Sequence, residues 1–357
     1  MSGDASVVVG PLTGYHHETY VFPLPGATAS GEQVRWKCRE PRRGLLWFDR
    51  RCFASEEQLL RALQGRVTGV PEVFRAGSAD LQRFIEGATL GTLYGADAAV
   101  PEPLVDRITE LFRQMALIGA GDVRARRRCK PDDRPSDGDT GGFLERLVHF
   151  TEHRVYRHNS KRFEKLFGTL GVDGGSFERL RGRLRHLTPR PFCLLHADLH
   201  RENFVVDPQG GLWAIDWELA MVGDPLYDLA THLHLMRYPQ RQETDVIERW
   251  RSAVEAARPG ACDGWEADLP KLLGYKRAQS VFTDVIRECL SLETAPEDDG
   301  GAYDRAARRL HGVLAAAAKP LGLDEVPAAR DISSALVRWH GEHREGAAPG
   351  RRARGDR

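Results

Sequence analysis

The stretch "LLHADLHRENFVVDPQGGLWAIDWE", Leu194 to Glu218, constrains the fold more than any other part of the chain. Two short apolar runs, Phe204 to Val206 and Leu212 to Ile215, flank the turn-forming "DPQGG", a pattern that predicts a tight antiparallel hairpin. With the turn centred near Gln209 and Gly210, Asn203 at one open end lies beside Asp216 at the other. Asn203 is one of only two asparagines in the chain. An amide oxygen and a carboxylate at the mouth of a hairpin suit a hard cation such as Mg²⁺, which takes few protein ligands and completes its shell with water and phosphate. Asp198 sits in the loop entering the same mouth.

Around this hairpin the chain reads as a small sheet followed by helices. "ETYVFPL", "EQVRWKCRE" and "GLLWFDR" have strand character, and "SEEQLLRAL" is a helix with Ser55 as N-cap. "LQRFIEG" ends in a hinge glycine. Helical periodicity begins in "PEPLVDRITELFRQMALIG" and breaks over residues 122–142, an exposed loop. It resumes in "FLERLVHFTEHRVYRH", "FERLRGRLRHL", "YKRAQSVFTDVIRECL", "AYDRAARRLHGVLAAAA" and "ISSALVRWHGEH". The expected division is an N-terminal lobe over 1–84, a hinge over 85–90, a C-terminal lobe over 91–342 and a disordered tail over 343–357. No internal repeat is present.

Composition narrows the partners. Fifty-one basic residues balance 51 acidic ones, so no global field favours nucleic acid or an anionic membrane. The six cysteines show no C-x-x-C pair or metal spacing, which fits a reducing cytoplasm, and no apolar run is long enough for a membrane span.

His196, Ala197, Asp198, Leu199 and Asn203, followed by Asp216 in "IDWE", resemble the catalytic core of protein kinases. The alanine within the loop, "IDWE" and "GDPLYDLA" (Gly223 to Ala230) look most like the aminoglycoside and choline phosphotransferase branch. The resemblance implies an α+β, two-lobed protein-kinase-like fold, with a small N-terminal antiparallel sheet lobe and a larger, mainly helical C-terminal lobe. It implies ATP and Mg²⁺ as cofactors and an alcohol as phosphoryl acceptor. By it Asp198 accepts the proton of the attacking hydroxyl, Asn203 and Asp216 hold the metal, and His196 and Asp228 support the catalytic loop. Asp224 and Pro225 begin a helix whose buried stripe is Leu226, Leu229, Ala230 and Leu233.

In the N-terminal lobe, "QVRWKCRE" alternates Val34, Trp36 and Cys38 with Arg35, Lys37 and Arg39. Val34 to Lys37 resembles the V-A-I-K strand, which makes Lys37 the phosphate-binding lysine and Glu56, or alternatively Glu57, its helix partner. Ile85, Glu86 and Gly87 would present backbone groups to adenine. The phosphate-covering segment, Thr13 to Thr19, lacks G-x-G-x-x-G. The acceptor implied is a hydroxylated small molecule such as an antibiotic, natural product or metabolite. The alternatives are a Ser/Thr peptide in natural-product maturation and a catalytically silent nucleotide-binding scaffold.

Overall fold

A computed structural model describes residues 8–13, 17–23, 34–42, 46, 48, 50–77, 79–294 and 301–345. The chain divides into two compact units, Met1–Arg146 with His186–Leu272, and Leu147–Arg185 with Leu273–Arg357.

The first unit opens with five strands, β1 (Val9–Thr13), β2 (His17–Pro23), β3 (Arg35–Pro41), β4 (Val73–Ala76) and β5 (Ala79–Arg83). They form one antiparallel sheet in the order β1-β2-β3-β5-β4. The alternation in β3 is real, but both faces are covered, since Trp36 on one side and Lys37 on the other are buried. Helix α1 (Glu56–Leu63) starts where expected, with the Ser55 hydroxyl accepting the Gln58 N–H. Its Leu59, Leu60 and Leu63 are fully buried. "GLLWFDR" departs from expectation. Its described residues Leu46, Phe48 and Arg50 lie outside any strand, and the sheet takes β4 and β5 instead. Phe48 is buried as a core residue, and that apolar demand produces the same pattern as a strand.

Next come β6 (Ala88–Thr89), α2 (Leu90–Leu93) and α3 (Glu102–Ala116). Helix α4 (Thr140–Phe150) leads along the chain into the second unit, and the first unit resumes at β7 (Cys193–Leu195). The hairpin is β8 (Phe204–Val206) with β9 (Leu212–Ala214), and β6 pairs with β8 to complete a three-stranded sheet. That junction requires glycine at 87. Its φ is +143°, and a Cβ there would lie 2.1 Å from the Val206 carbonyl oxygen. The hairpin register is one residue short of expectation: Phe204 faces Ala214, and the Asn203 carbonyl accepts the Ile215 N–H, so Ile215 rather than Asp216 stands opposite Asn203. Strand β10 (Met221–Gly223) pairs with β7 and feeds α7 (Pro225–Met236). Helix α7 is capped by Asp224 and buries Leu226, Leu229, Ala230 and Leu233 as expected. The expected loop over 122–142 is irregular only as far as residue 139, with one 3-10 turn, because α4 already begins at Thr140; a bridge between Phe53 and Arg127 ties it to the chain before α1.

The second unit contains α5 (Ser160–Thr169), α6 (Gly175–Arg183), α10 (Ala302–Leu321), α11 (Ala329–Glu345) and most of the long α9 (Trp265–Thr294). Its core is aromatic: Phe177 stacks on Phe282 at 4.5 Å, Tyr156 meets Phe167 edge-on at 5.3 Å, and Trp339 stacks on Phe163 at 5.3 Å. Among the described residues, three helices fall outside the sequence expectation: α5 and, in the first unit, the short α2 and α8 (Gln240–Ala257). Helix α11 reaches Glu345, inside the segment expected to be disordered; residues 346–357 lie outside the described residues.

Candidate active site

Strand β7 ends in a turn that is held from below. His196 and Ala197 donate their backbone N–H groups to the two oxygens of Asp228, at 3.0 and 2.7 Å. Ala197 has φ of 65°, a left-handed conformation that costs an alanine energy and persists because Asp228 fixes it. His196 is fully buried, and its Nε2 donates to the Ile215 carbonyl at 3.1 Å, which ties the turn to the end of the hairpin. Burial lowers its pKa to about 4, so the ring is neutral.

Asp198, next along the turn, is partly open to solvent. Its Oδ2 accepts from Asn203 Nδ2 at 3.2 Å and lies 3.5 Å from His200 Nε2, and its backbone carbonyl accepts from the same Asn203 amide at 2.8 Å. Its Oδ1 has no partner among the described residues. Both Asn203 amide hydrogens point at Asp198, which leaves the Asn203 Oδ1 free to take a ligand. Burial lowers the His200 pKa, but its bond to Asp198 outweighs this and raises it overall. Beneath the turn, buried Arg201 donates to the carbonyls of Met236, Tyr94 and Ala98. Buried His232 bridges the Leu199 carbonyl and the Tyr238 hydroxyl, both at 3.0 Å.

Asp216 follows β9 in a left-handed conformation, φ 63° and ψ 63°. Its neighbour Trp217 donates its N–H to Glu56 Oε1 at 2.8 Å. Gln82 Nε2 reaches the same oxygen at 3.3 Å, while Arg39 Nη1 donates to Glu56 Oε2 at 2.5 Å and to Asp216 Oδ1 at 3.3 Å. Glu56 is therefore the inward-facing acid of α1; Glu57 accepts instead from the Ser55 hydroxyl. Lys37 is buried without an ion pair among the described residues. Burial, then the Arg39 charge, lowers its pKa to about 8, against the fields of Glu56 and Asp216. Burial raises the Asp216 pKa, but Arg39 and Lys37 prevail and hold it below the usual range. Glu218, paired with Arg51 at 2.6 Å and His17 at 3.5 Å, is pushed up to about 7 by burial and by Asp216.

Beside the segment expected to be a hinge, the Phe84 N–H donates to the Arg35 carbonyl at 2.9 Å, and the Glu86 carboxylate is clamped by the Arg35 guanidinium at 2.5 and 2.6 Å. Arg35, Ile85, Glu86 and Trp213 line a cavity of about 270 Å³. Of the expected phosphate-covering segment, Thr13 closes β1 and His17 to Thr19 open β2, whereas residues 14–16, His16 included, lie outside the described residues.

The phosphotransferase enzyme family matches residues 27–270, more than half of the chain. The chain belongs to this phosphotransferase family. Solved structures agree on the fold. A macrolide 2'-phosphotransferase from Brachybacterium faecium superposes with a TM-score of 0.50 at 15% identity, covering 91% of this chain and 95% of that one. A choline/ethanolamine kinase family protein from Mesorhizobium loti does so with 0.50 at 17% identity, covering 94% of each. No curated protein matches the chain. The fold class is thus the expected one, an α+β protein-kinase-like fold with an antiparallel N-terminal sheet and a larger helical part.

Several residues of this phosphotransferase's site escape sequence reasoning. Arg39 reads as one more member of a basic strand face, and Arg201 as a loop cation. Arg190 is fully buried, bonded to Asp224 and Asp268 at 2.8 and 2.9 Å, and nothing in "TPRPF" marks it as a core residue. Partners distant in sequence supply these roles.

Among the described residues no group of three or more His, Cys, Asp or Glu could by itself hold a metal ion. The donor set fits a cation shared with nucleotide phosphates, because Asn203 has a free amide oxygen and Asp216 is a partly exposed carboxylate. No helix among the described residues is long and apolar enough to cross a membrane.

Proposed function

We infer that the protein transfers the γ-phosphoryl group of ATP, bound with Mg²⁺, to a hydroxyl of a small molecule such as an antibiotic, natural product or metabolite. The observation that carries this reading is Asp198. One of its oxygens is fixed by Asn203, the other is unengaged, and the side chain reaches solvent.

Phosphoryl transfer passes through a loose transition state, so the chain's work is positioning and charge compensation. Asp198 Oδ1 takes the acceptor proton while Asn203 holds Oδ2 still. Lys37, free of a carboxylate partner among the described residues, carries its charge at neutral pH even with its pKa lowered to about 8, and binds the nucleotide phosphates, contact with which raises that pKa again. Backbone groups of Ile85, Glu86 and Gly87 meet the base. Asn203 Oδ1 and Asp216 would hold Mg²⁺, which neutralises phosphate charge when bound. His196 and Asp228 keep the turn in its strained form.

The test is a nucleotide-consumption screen over aminoglycosides, macrolides, amino alcohols, sugars and Ser/Thr peptides. Turnover confined to peptides would move the acceptor class. Nucleotide binding without turnover of any acceptor would favour a silent scaffold.

A further inference from the structure

Arg39 stands two residues after Lys37 on β3, and a single atom, Nη1, serves both Glu56 Oε2 at 2.5 Å and Asp216 Oδ1 at 3.3 Å. The two bonds are unequal. The Glu56 bond joins side chains that are 13% and 5% exposed, whereas Asp216 is 35% exposed and bonded at the long end of the range. The second oxygen of Glu56 is occupied by the Trp217 N–H and by Gln82. Glu56 is therefore saturated without Lys37, and it grips the Asp216 segment twice, through Arg39 and through the backbone next to Asp216.

We propose that Arg39 is a positioning residue that holds the Asp216 carboxylate in place before metal nucleotide binds, then releases Asp216 while keeping Glu56. This rests on the phosphotransferase reading of the site. A guanidinium suits the task, since Nη1 carries two hydrogens and can give up the bond to Asp216 while the bond to Glu56 stays. The charge balance points the same way. Glu56, Asp216 and Glu218 form one acidic group, with Asp216 and Glu56 both acting on Glu218, and Arg39 lies in the field of all three. Without Arg39 the carboxylates repel one another and Asp216 loses its place. With it, an arriving cation must compete for the Asp216 oxygen. Arg39 therefore weakens metal binding and improves the position of the metal ligand. In a site built on the Lys37–Glu56 pair, a substitution at 39 would do neither.

The experiment follows Mn²⁺ by electron paramagnetic resonance as it is titrated into the full chain with ADP, for the parent, Arg39→Met and Arg39→Gln. Both variants are expected to bind Mn²⁺ about tenfold more tightly than the parent, because the competing charge is gone. Turnover with an acceptor used by the parent is expected to fall about tenfold at unchanged acceptor KM, the sign of lost positioning rather than lost binding. Mn²⁺ affinity that is unchanged or weaker in the variants overturns the proposal. If Arg39→Met does not fold, Arg39→Gln decides on the same criterion. A parent that binds no Mn²⁺ with ADP refutes the phosphotransferase reading itself, whereas a parent and variants that bind it equally refute only the role of Arg39.

Discussion

Asp228 and Ala197 are joined by a 2.7 Å hydrogen bond that fixes the alanine at φ 65°, one residue before Asp198. The other Asp228 oxygen takes the His196 N–H at 3.0 Å, so one buried carboxylate sets the entry angle of the whole turn. Its place in the first turn of α7 is fixed in turn by the Asp224 cap.

Asp228→Asn keeps the shape but presents an amide donor to one of two backbone donors. A buried N–H left unsatisfied beside a lost charge-assisted bond costs about 2–4 kcal/mol. The urea midpoint is expected to fall accordingly and turnover to drop with it. Ala197→Gly is expected to do the opposite for stability, a gain of about 1 kcal/mol, since glycine adopts a left-handed backbone without strain. An unchanged midpoint in Asp228→Asn would show that the turn does not depend on these bonds.

Asp198→Ala is expected to lower turnover on the order of a hundredfold or more, with ADP affinity by calorimetry nearly unchanged, because the base faces the acceptor. Asp216→Ala is expected to weaken Mg-nucleotide binding and turnover together, and Asn203→Ala to act in the same sense but less. Normal Mg-nucleotide binding by Asp216→Ala would make the end of the hairpin structural only.

Much of this site is legible in the sequence because its signals are local. Ser55 and Asp224 are caps whose chemistry acts within a turn, and "FVVDPQGGLWA" writes its own pairing to within one residue. Glu56 over Glu57 follows from helix geometry once α1 packs, yet the sequence leaves both open. Lys37 and Arg39 share a strand face, and pattern alone cannot say which meets Glu56. That choice depends on Trp217, Gln82 and Asp216, which only the tertiary fold brings together. Helix α8 was readable in principle, with buried Val246, Trp250 and Val254 at four-residue spacing.

Acid should destabilise the protein through its neutral buried histidines. Burial holds His196 at about 4 and His232 at about 3, against 6.5 for a freely solvated imidazole. Between these values the unfolded chain binds the proton first, so their contribution is complete above 6.5 and is lost as pH falls toward 4. Each histidine adds a slope of about 1.4 kcal/mol per pH unit. Glu218 and His200, both raised, act in the opposite sense, so the informative quantity is a difference between proteins. His232→Gln should lose less stability than the parent between pH 6.5 and 4.5, measured by urea midpoints. Parallel curves would contradict the buried neutral ring.

Cys129 should be the most reactive of the six cysteines. The Cys52 thiol and the Arg134 guanidinium bring its pKa down to about 5, against the effect of burial, and it is only partly covered. Burial pushes Cys193 and Cys289 up and Cys262 to about 12. Iodoacetamide at neutral pH should therefore label Cys129 first by peptide mapping, and Arg134→Ala should slow it several-fold. Labelling of Cys193 or Cys289 at a comparable rate would mean that the native packing is loose.

The buried arginine beneath α7 yields the last expectation. Arg190 is fully covered and donates to both oxygens of Asp224, to Asp268 at 2.9 Å and to the Asp263 carbonyl at 2.7 Å. Asp224 also caps α7 through the Leu226 N–H, and Asp268 also accepts from Thr188 and Lys271. Replacing Arg190 by methionine leaves buried Asp224 without its cation and Asp268 with Lys271 alone, a change expected to cost about 3–5 kcal/mol in unfolding free energy, read from urea denaturation. Since α7 carries Asp228, activity should fall only as the folded fraction falls, unlike in Asp198→Ala, where stability stays and turnover goes. Changing Arg190, Asp224 and Asp268 together to Met, Asn and Asn should recover part of the loss, because burying an ion network is itself costly and its removal leaves only the partly exposed Lys271 without its carboxylate. A triple variant less stable than Arg190→Met alone would mean that the Asp224 cap and the Asp268 backbone bond contribute more than relief of the stranded charges.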